Sequence, residues 1–157
     1  MSSENATRRV IFLDIDGVLA PIRRWDRYGD LDPECIEVLN EIATRGDADV
    51  VVSSTWRYGR TVAELQEILE EAGFTGSVVD KTPIGESGAD RGEEIAAWLS
   101  ANAVTGFVII DDHVAMGALN THLIVTHPAR GLQPADVPHA IATLMRRRGS
   151  GAATSSD

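Results

Sequence analysis

Two aspartates one residue apart, Asp14 and Asp16, follow directly on the apolar run Val10-Ile11-Phe12-Leu13, and Gly17 comes next. Four apolar side chains in a row read as a strand buried on both faces, where an isolated carboxylate would cost several kcal/mol. The same pattern recurs twice. "ADVVVSST" (48–55) ends in Ser53 and Ser54, and "GFVIIDD" (106–112) ends in Asp111 and Asp112. Carboxylates that leave neighbouring strands together can share a cation instead of being buried singly. At ~4 Å two like charges repel by roughly 4 kcal/mol at an effective dielectric of about 20, and a divalent ion removes that penalty. Carboxylates with oxygen-only partners make a hard-cation site, and magnesium fits best because it keeps water and phosphate oxygens in its shell. The serine hydroxyls can donate to a phosphoryl oxygen, and a cation, Arg91 or Lys81, can neutralise the charge that develops there. A nucleophile, an acid/base, a metal and donors for the equatorial oxygens are the parts that phosphoryl transfer needs.

For those residues to meet, the elements carrying them must lie side by side. Apolar runs alternate with amphipathic ones along the whole chain, the sequence form of strand-helix-strand units around a parallel sheet. Asp32-Pro33 reads as an N-cap with proline at the first helical position, Ile36, Leu39, Ile42 and Ala43 give that helix one apolar face, and Gly46 stops it. Thr61 begins a second helix carrying Val62, Leu65, Ile68, Leu69 and Ala72, ended by Gly73. "GSVVD" (76–80) is a short strand and "KTPIGESGAD" a loop; "RGEEIAAWLSA" then sets Ile95, Trp98 and Leu99 at helical spacing. After "GFVIIDD" come a last strand, "THLIVT", and a last helix from Asp136 to Arg147. In such sheets ligands bind outside the carboxyl ends of the strands, so the polar tips of three strands are expected on one edge.

At 157 residues the chain has the size of one domain. We expect ordered structure over 9–147, with disordered ends at 1–8 and 148–157, where no apolar surface offsets the entropy of ordering. A formal net charge of -10 disfavours a broad basic surface for non-specific nucleic-acid binding. The single cysteine, Cys35, excludes an internal disulfide and a thiolate zinc cluster and fits a cytoplasmic setting. No apolar run reaches membrane-spanning length and the N-terminus lacks a secretory core, so no membrane partner is expected.

"DIDGV" resembles the first motif of the haloacid dehalogenase (HAD) superfamily of phosphohydrolases. "VVVSST", the basic residue ahead of the last motif, and "FVIIDD" are similar to its second, third and fourth motifs, in the expected order. The resemblance covers roughly residues 9–146 and implies an α/β three-layer sandwich around a mostly parallel, Rossmann-like sheet. It implies a magnesium-dependent phosphomonoesterase in which Asp14 attacks phosphorus to form an aspartyl-phosphate, while Asp16 protonates the leaving oxygen and later activates water. Asp111 would bind magnesium together with the Asp14 side chain and the Asp16 main-chain carbonyl, with Asp112 supporting that shell. Ser54 is preferred as the phosphoryl donor because Trp56 follows it by two residues, with Ser53 as the alternative and a substrate contact. Arg91, which opens the helix feeding the fourth motif, is preferred over Lys81.

Only "GVLAPIRRWDRYGDL" separates Asp16 from the next helix, too little for a cap domain. An uncapped, open site suits a polynucleotide end, a phosphoprotein or another large substrate, as in the small capless phosphatases attached to nucleic-acid end-repair enzymes. The loop's Arg23, Arg24, Trp25, Arg27 and Tyr28 could grip such an end by stacking and charge pairing, with Arg24 and Trp25 the leading candidates. His113 lies beside the acidic pair, whereas His122, His127 and His139 show no metal-ligand spacing. Arg146–Arg148 fit the negative end of the last helix's dipole. Two other functions compete: a phosphoacceptor signalling module, disfavoured because the D-x-D comes first and the acidic pair last, and a catalytically silent binding domain of the same fold.

Overall fold

The first apolar run is buried because it becomes the middle strand of a five-stranded sheet. In the computed structural model, which describes residues 8–23, 29–85, 90–113 and 116–146, this strand is β1 (Arg9–Leu13). It pairs in parallel with β2 (Ala48–Val52) on one side and β4 (Gly106–Asp111) on the other. The outer strands β3 (Val78–Lys81) and β5 (Leu123–Val125) are also parallel, giving the order β3-β2-β1-β4-β5. Both faces of β1 are therefore covered, and Val10 to Leu13 have no solvent exposure.

Alternation along the strands divides the core into two layers. Ile11, Leu13, Val50, Val52, Val108 and Ile110 meet the apolar faces of α1 (Pro33–Gly46), α2 (Val62–Glu71) and α4 (Val137–Met145). Val10, Phe12, Val51, Phe107 and Ile109 meet α3 (Arg91–Ala101). There Phe12 stands edge-on to Trp98 and Phe107, with ring centroids 5.4 and 5.8 Å apart. The result is a three-layer α/β sandwich with an all-parallel sheet and, among the described residues, no cap. Among the described residues no helix is long and apolar enough to cross a membrane.

Several boundaries differ from the sequence reading, each for a local reason. The left-handed residue that ends α1 is Asp47 (φ 50°), not Gly46. Gly46 stays helical and needs its missing side chain for another purpose, since a Cβ there would come within 2.6 Å of Leu144 Cδ1 on α4. Strand β3 starts two residues later than expected, and at its start Gln66 of α2 donates to the Gly76 carbonyl and accepts the Val78 N–H. The last strand is shortened to Leu123–Val125 by a 3₁₀ turn over Gly117–His122, and the last helix begins at Val137 after a 3₁₀ turn over Pro134–Asp136. The chain ends at 1–7 and 147–157, together with Arg24, Trp25, Arg27 and Tyr28, lie outside the described residues.

Candidate active site

Sheet register decides which polar residues meet. Leu13 lies level with Val52 on β2 and Ile110 on β4, so the next positions, Asp14, Ser53 and Asp111, form one row at the carboxyl edge. The ladder runs on through this row: Asp14 N donates to Ile110 O (3.0 Å) and Ser53 N donates to Leu13 O (3.0 Å). Continuing the alternation of each strand, this row belongs to the face covered by α3, whose first residue is Arg91. The Arg91 guanidinium lies 3.2 Å from Asp14 Oδ1 and 2.6 Å from Asp111 Oδ2 through the same nitrogen. Asp111 Oδ1 accepts the His113 backbone N–H at 3.0 Å, and Asp112 stands close enough for its charge to act on Asp14.

Gly17 permits this crowding. Its φ of +82° lies in the left-handed region, and a Cβ there would fall 2.2 Å from Asp112 Oδ2. The chain turns away at this glycine, with Gly17 N bonded to Ala20 O (2.9 Å) and the Thr126 hydroxyl donating to Gly17 O (2.7 Å). Asp16 is thereby separated from Asp14: its Oδ2 accepts the indole N–H of Trp56 at 3.1 Å. Its Oδ1 is buried with no hydrogen-bond partner.

The two serines differ in their engagements. Ser54 Oγ caps the short 3₁₀ turn Thr55–Arg57 by accepting Trp56 N at 3.2 Å. Ser53 is fully buried and its hydroxyl has no partner, as is also true of the Thr82 hydroxyl at the end of β3. A buried hydroxyl without a partner is costly unless a ligand satisfies it. Of the two candidate cations, Arg91 lies among the carboxylates, whereas Lys81 Nζ donates to the Arg60 carbonyl. Arg23 is exposed and is bonded to Ala129 O and Asp32.

Sequence reasoning missed Arg57, which is 1% exposed and uses its whole guanidinium. It donates to the carbonyls of Thr82 (2.9 Å), Ser53 (3.1 Å), Ser54 (2.9 Å) and Pro83 (3.3 Å) and to Glu94 Oε1 (2.7 Å). The other Glu94 oxygen accepts Gly85 N at 2.9 Å. One side chain therefore ties the ends of β2 and β3 to the first turn of α3, the turn that carries Arg91. Nothing in "SSTWRYGR" separates this arginine from a surface cation, because four of its five partners are backbone carbonyls.

Burial pushes the Asp14 carboxyl up to about 8, with the charge of Asp111 adding to the rise and Arg91 opposing it. Asp112 is raised as well, by burial and by Asp111. Burial works against the Arg91 charge, but Asp111 and Asp14 outweigh it and hold the guanidinium more firmly protonated than usual. Three carboxylates against one guanidinium leave the cluster short of positive charge. The carboxylates of Asp14, Asp111 and Asp112 offer oxygen donors, and ligand atoms of Asp111, Asp112 and the His113 ring, the one nitrogen in this group, lie within 4.8 Å of one another. The residues therefore fit a hard divalent cation such as magnesium.

The five parallel strands and the acidic row at their carboxyl edge fit a compact domain of the HAD type. Residues 10–137 match the family described as the HAD domain in Swiss Army Knife RNA repair proteins, and the chain belongs to that family. Neither the curated proteins nor the solved structures gave a significant match.

Proposed function

We propose that the protein is a magnesium-dependent phosphomonoesterase that works through an aspartyl-phosphate on Asp14, with an open site suited to a polynucleotide end or another large substrate. The observation that carries this reading is the single Arg91 nitrogen within 3.2 Å of Asp14 Oδ1 and 2.6 Å of Asp111 Oδ2. That bridge brings the ends of β1 and β4 and the start of α3 to one point. The family's description, which names RNA repair, favours a nucleic-acid end among large substrates.

In the first step an Asp14 oxygen forms a bond to phosphorus as the ester oxygen leaves and takes a proton from Asp16. In the second, Asp16 accepts a proton from water, whose oxygen attacks phosphorus and releases phosphate while the Asp14 carboxylate is restored. Magnesium, held by the Asp14 and Asp111 carboxylates with Asp112 and the Asp16 main-chain carbonyl, would neutralise charge on the transferring group. Arg91 supplies a fixed positive charge at the same place. Ser53 is the better donor to a phosphoryl oxygen, because its hydroxyl is level with Asp14 and unengaged while the Ser54 oxygen caps the next turn. The Trp56 indole holds one Asp16 oxygen and leaves the other for the proton transfers.

The test is phosphate release with magnesium from a panel that includes 3'- and 5'-phosphorylated oligonucleotides. Turnover of at least one of them, lost on chelation of the metal and reduced far more by Ser53→Ala than by Ser54→Ala, is expected. Release that persists in excess chelator would refute the metal-dependent reading.

A further inference from the structure

Beside Asp16 the surface opens into a cavity of about 330 Å³ bordered by Asp16, Thr55, Trp56 and Arg60. Ligand pockets of about 300–1,000 Å³ are typical, so this space lies within the usual range. Its walls are unusual for so acidic a chain. The Trp56 ring is half-buried against the core, and its edge is fixed by the bond from Nε1 to Asp16 Oδ2. The Arg60 guanidinium lies 5.6 Å from the centre of that ring, held by a 3.0 Å bond to the Trp56 carbonyl, and the Lys81 ammonium is bonded to the Arg60 carbonyl. Thr55 is exposed on the same rim and adds a free-standing hydroxyl. Two planar groups, one aromatic and one cationic, thus stand next to the carboxyl that would protonate the departing oxygen.

Position fixes what this cavity can receive. Any ester cleaved at Asp14 places its leaving oxygen at Asp16, so whatever the leaving alcohol carries next lies against Trp56 and Arg60. Heterocyclic bases stack on indole and guanidinium planes irrespective of their sequence, and here Arg60 lies over the Trp56 ring, so that the two form one layered platform bordering the cavity. We infer that Trp56 and Arg60 form a subsite for the terminal base of a nucleotide-bearing phosphomonoester, so that the enzyme selects phosphorylated nucleotide ends over base-free phosphates. The inference rests on the phosphatase reading above for the role of Asp16, and it names the part of the substrate that the site holds. The cavity accounts for a preference without contacts to base edges, since stacking discriminates a base from no base far better than one base from another.

The experiment compares adenosine 5'-monophosphate with ribose 5-phosphate, which differ only by the base. Binding with magnesium is measured by equilibrium dialysis and by tryptophan fluorescence on the Asp14→Asn protein, in which turnover is blocked, and kcat/KM is measured on the unaltered protein. The nucleotide is expected to bind roughly five- to one-hundred-fold more tightly than the sugar phosphate, the usual range for one stacked base. It should also quench fluorescence, and Trp56→Phe should remove that quenching. Arg60→Ala, at an exposed position, and Trp56→Leu should each narrow the ratio to less than about twofold. Equal affinity for the two ligands, or a ratio unchanged in Arg60→Ala, would overturn the inference. Absence of turnover on both compounds would count against the phosphatase reading alone, because the binding ratio decides the subsite independently.

Discussion

Arg57 offers the sharpest stability test, because its guanidinium is both fully buried and fully used. Replacement by methionine keeps most of the side chain's volume and removes five hydrogen bonds, four to carbonyls and one to Glu94. The Glu94 side chain is 10% exposed, so the change leaves a carboxylate almost buried with only Gly85 N for a partner. Breaking a buried pair in this way costs about 3–5 kcal/mol. Adding ~1.5–3 kcal/mol for each carbonyl would make the loss as large as the whole ~5–15 kcal/mol that stabilises a domain, so the losses are not counted as independent. Arg57→Met is therefore expected to cost about 3–5 kcal/mol, or a Tm drop of roughly 6–20 °C for a domain of this size. Urea unfolding followed by tryptophan fluorescence measures it. The double change Arg57→Met with Glu94→Leu removes the stranded charge and should recover at least ~1 kcal/mol of that loss. A cost below about 1 kcal/mol for Arg57→Met, or a double variant no more stable than the single one, would refute the clamp.

Three further outcomes are expected. In metal-free protein, burial and Asp111 keep a proton on Asp14 to about pH 8, whereas the unfolded chain releases it near 3.8; stability should therefore fall as pH rises through that window, by up to ~1.4 kcal/mol per unit, and magnesium should reverse the fall. Urea midpoints at pH 5 and 8, with and without magnesium, check this. Gly17→Ala forces a side chain into the left-handed region and against Asp112 Oδ2, so it should cost ~1–3 kcal/mol and weaken magnesium binding measured by calorimetry. Burial, reinforced by Asp32, pushes the Cys35 thiol up to about 11; iodoacetamide should label it in the native protein at pH 8 at least ~100-fold more slowly than in urea, and about tenfold faster per added pH unit.

Much of the site was legible because burial on both faces of β1 leaves carboxylates at its exit with few alternatives. The runs ending at Asp14, Ser53 and Asp111 carry their own register, and three parallel strands in that register bring those ends level. The choice between Ser53 and Ser54 was not legible, since it turns on one residue of strand phase and on the cap that Ser54 makes to Trp56. Arg57 and Glu94 were invisible for a different reason. A cation that binds main-chain carbonyls leaves no matching pattern in the sequence, and Glu94 reads as one more charge in a solvated first turn.

The proposed mechanism requires Asp14 to become covalently phosphorylated at a magnesium-dependent centre shared with Asp111. Rapid acid quenching during turnover, followed by peptide mass analysis, tests it most directly. The expected result is a transient phosphate on the peptide containing Asp14, requiring magnesium, decaying at the rate of phosphate release and missing from Asp14→Asn, whose turnover should fall by several orders of magnitude. Undiminished turnover by Asp14→Asn, or a phosphate on Asp14 that persists without hydrolysis, would contradict it.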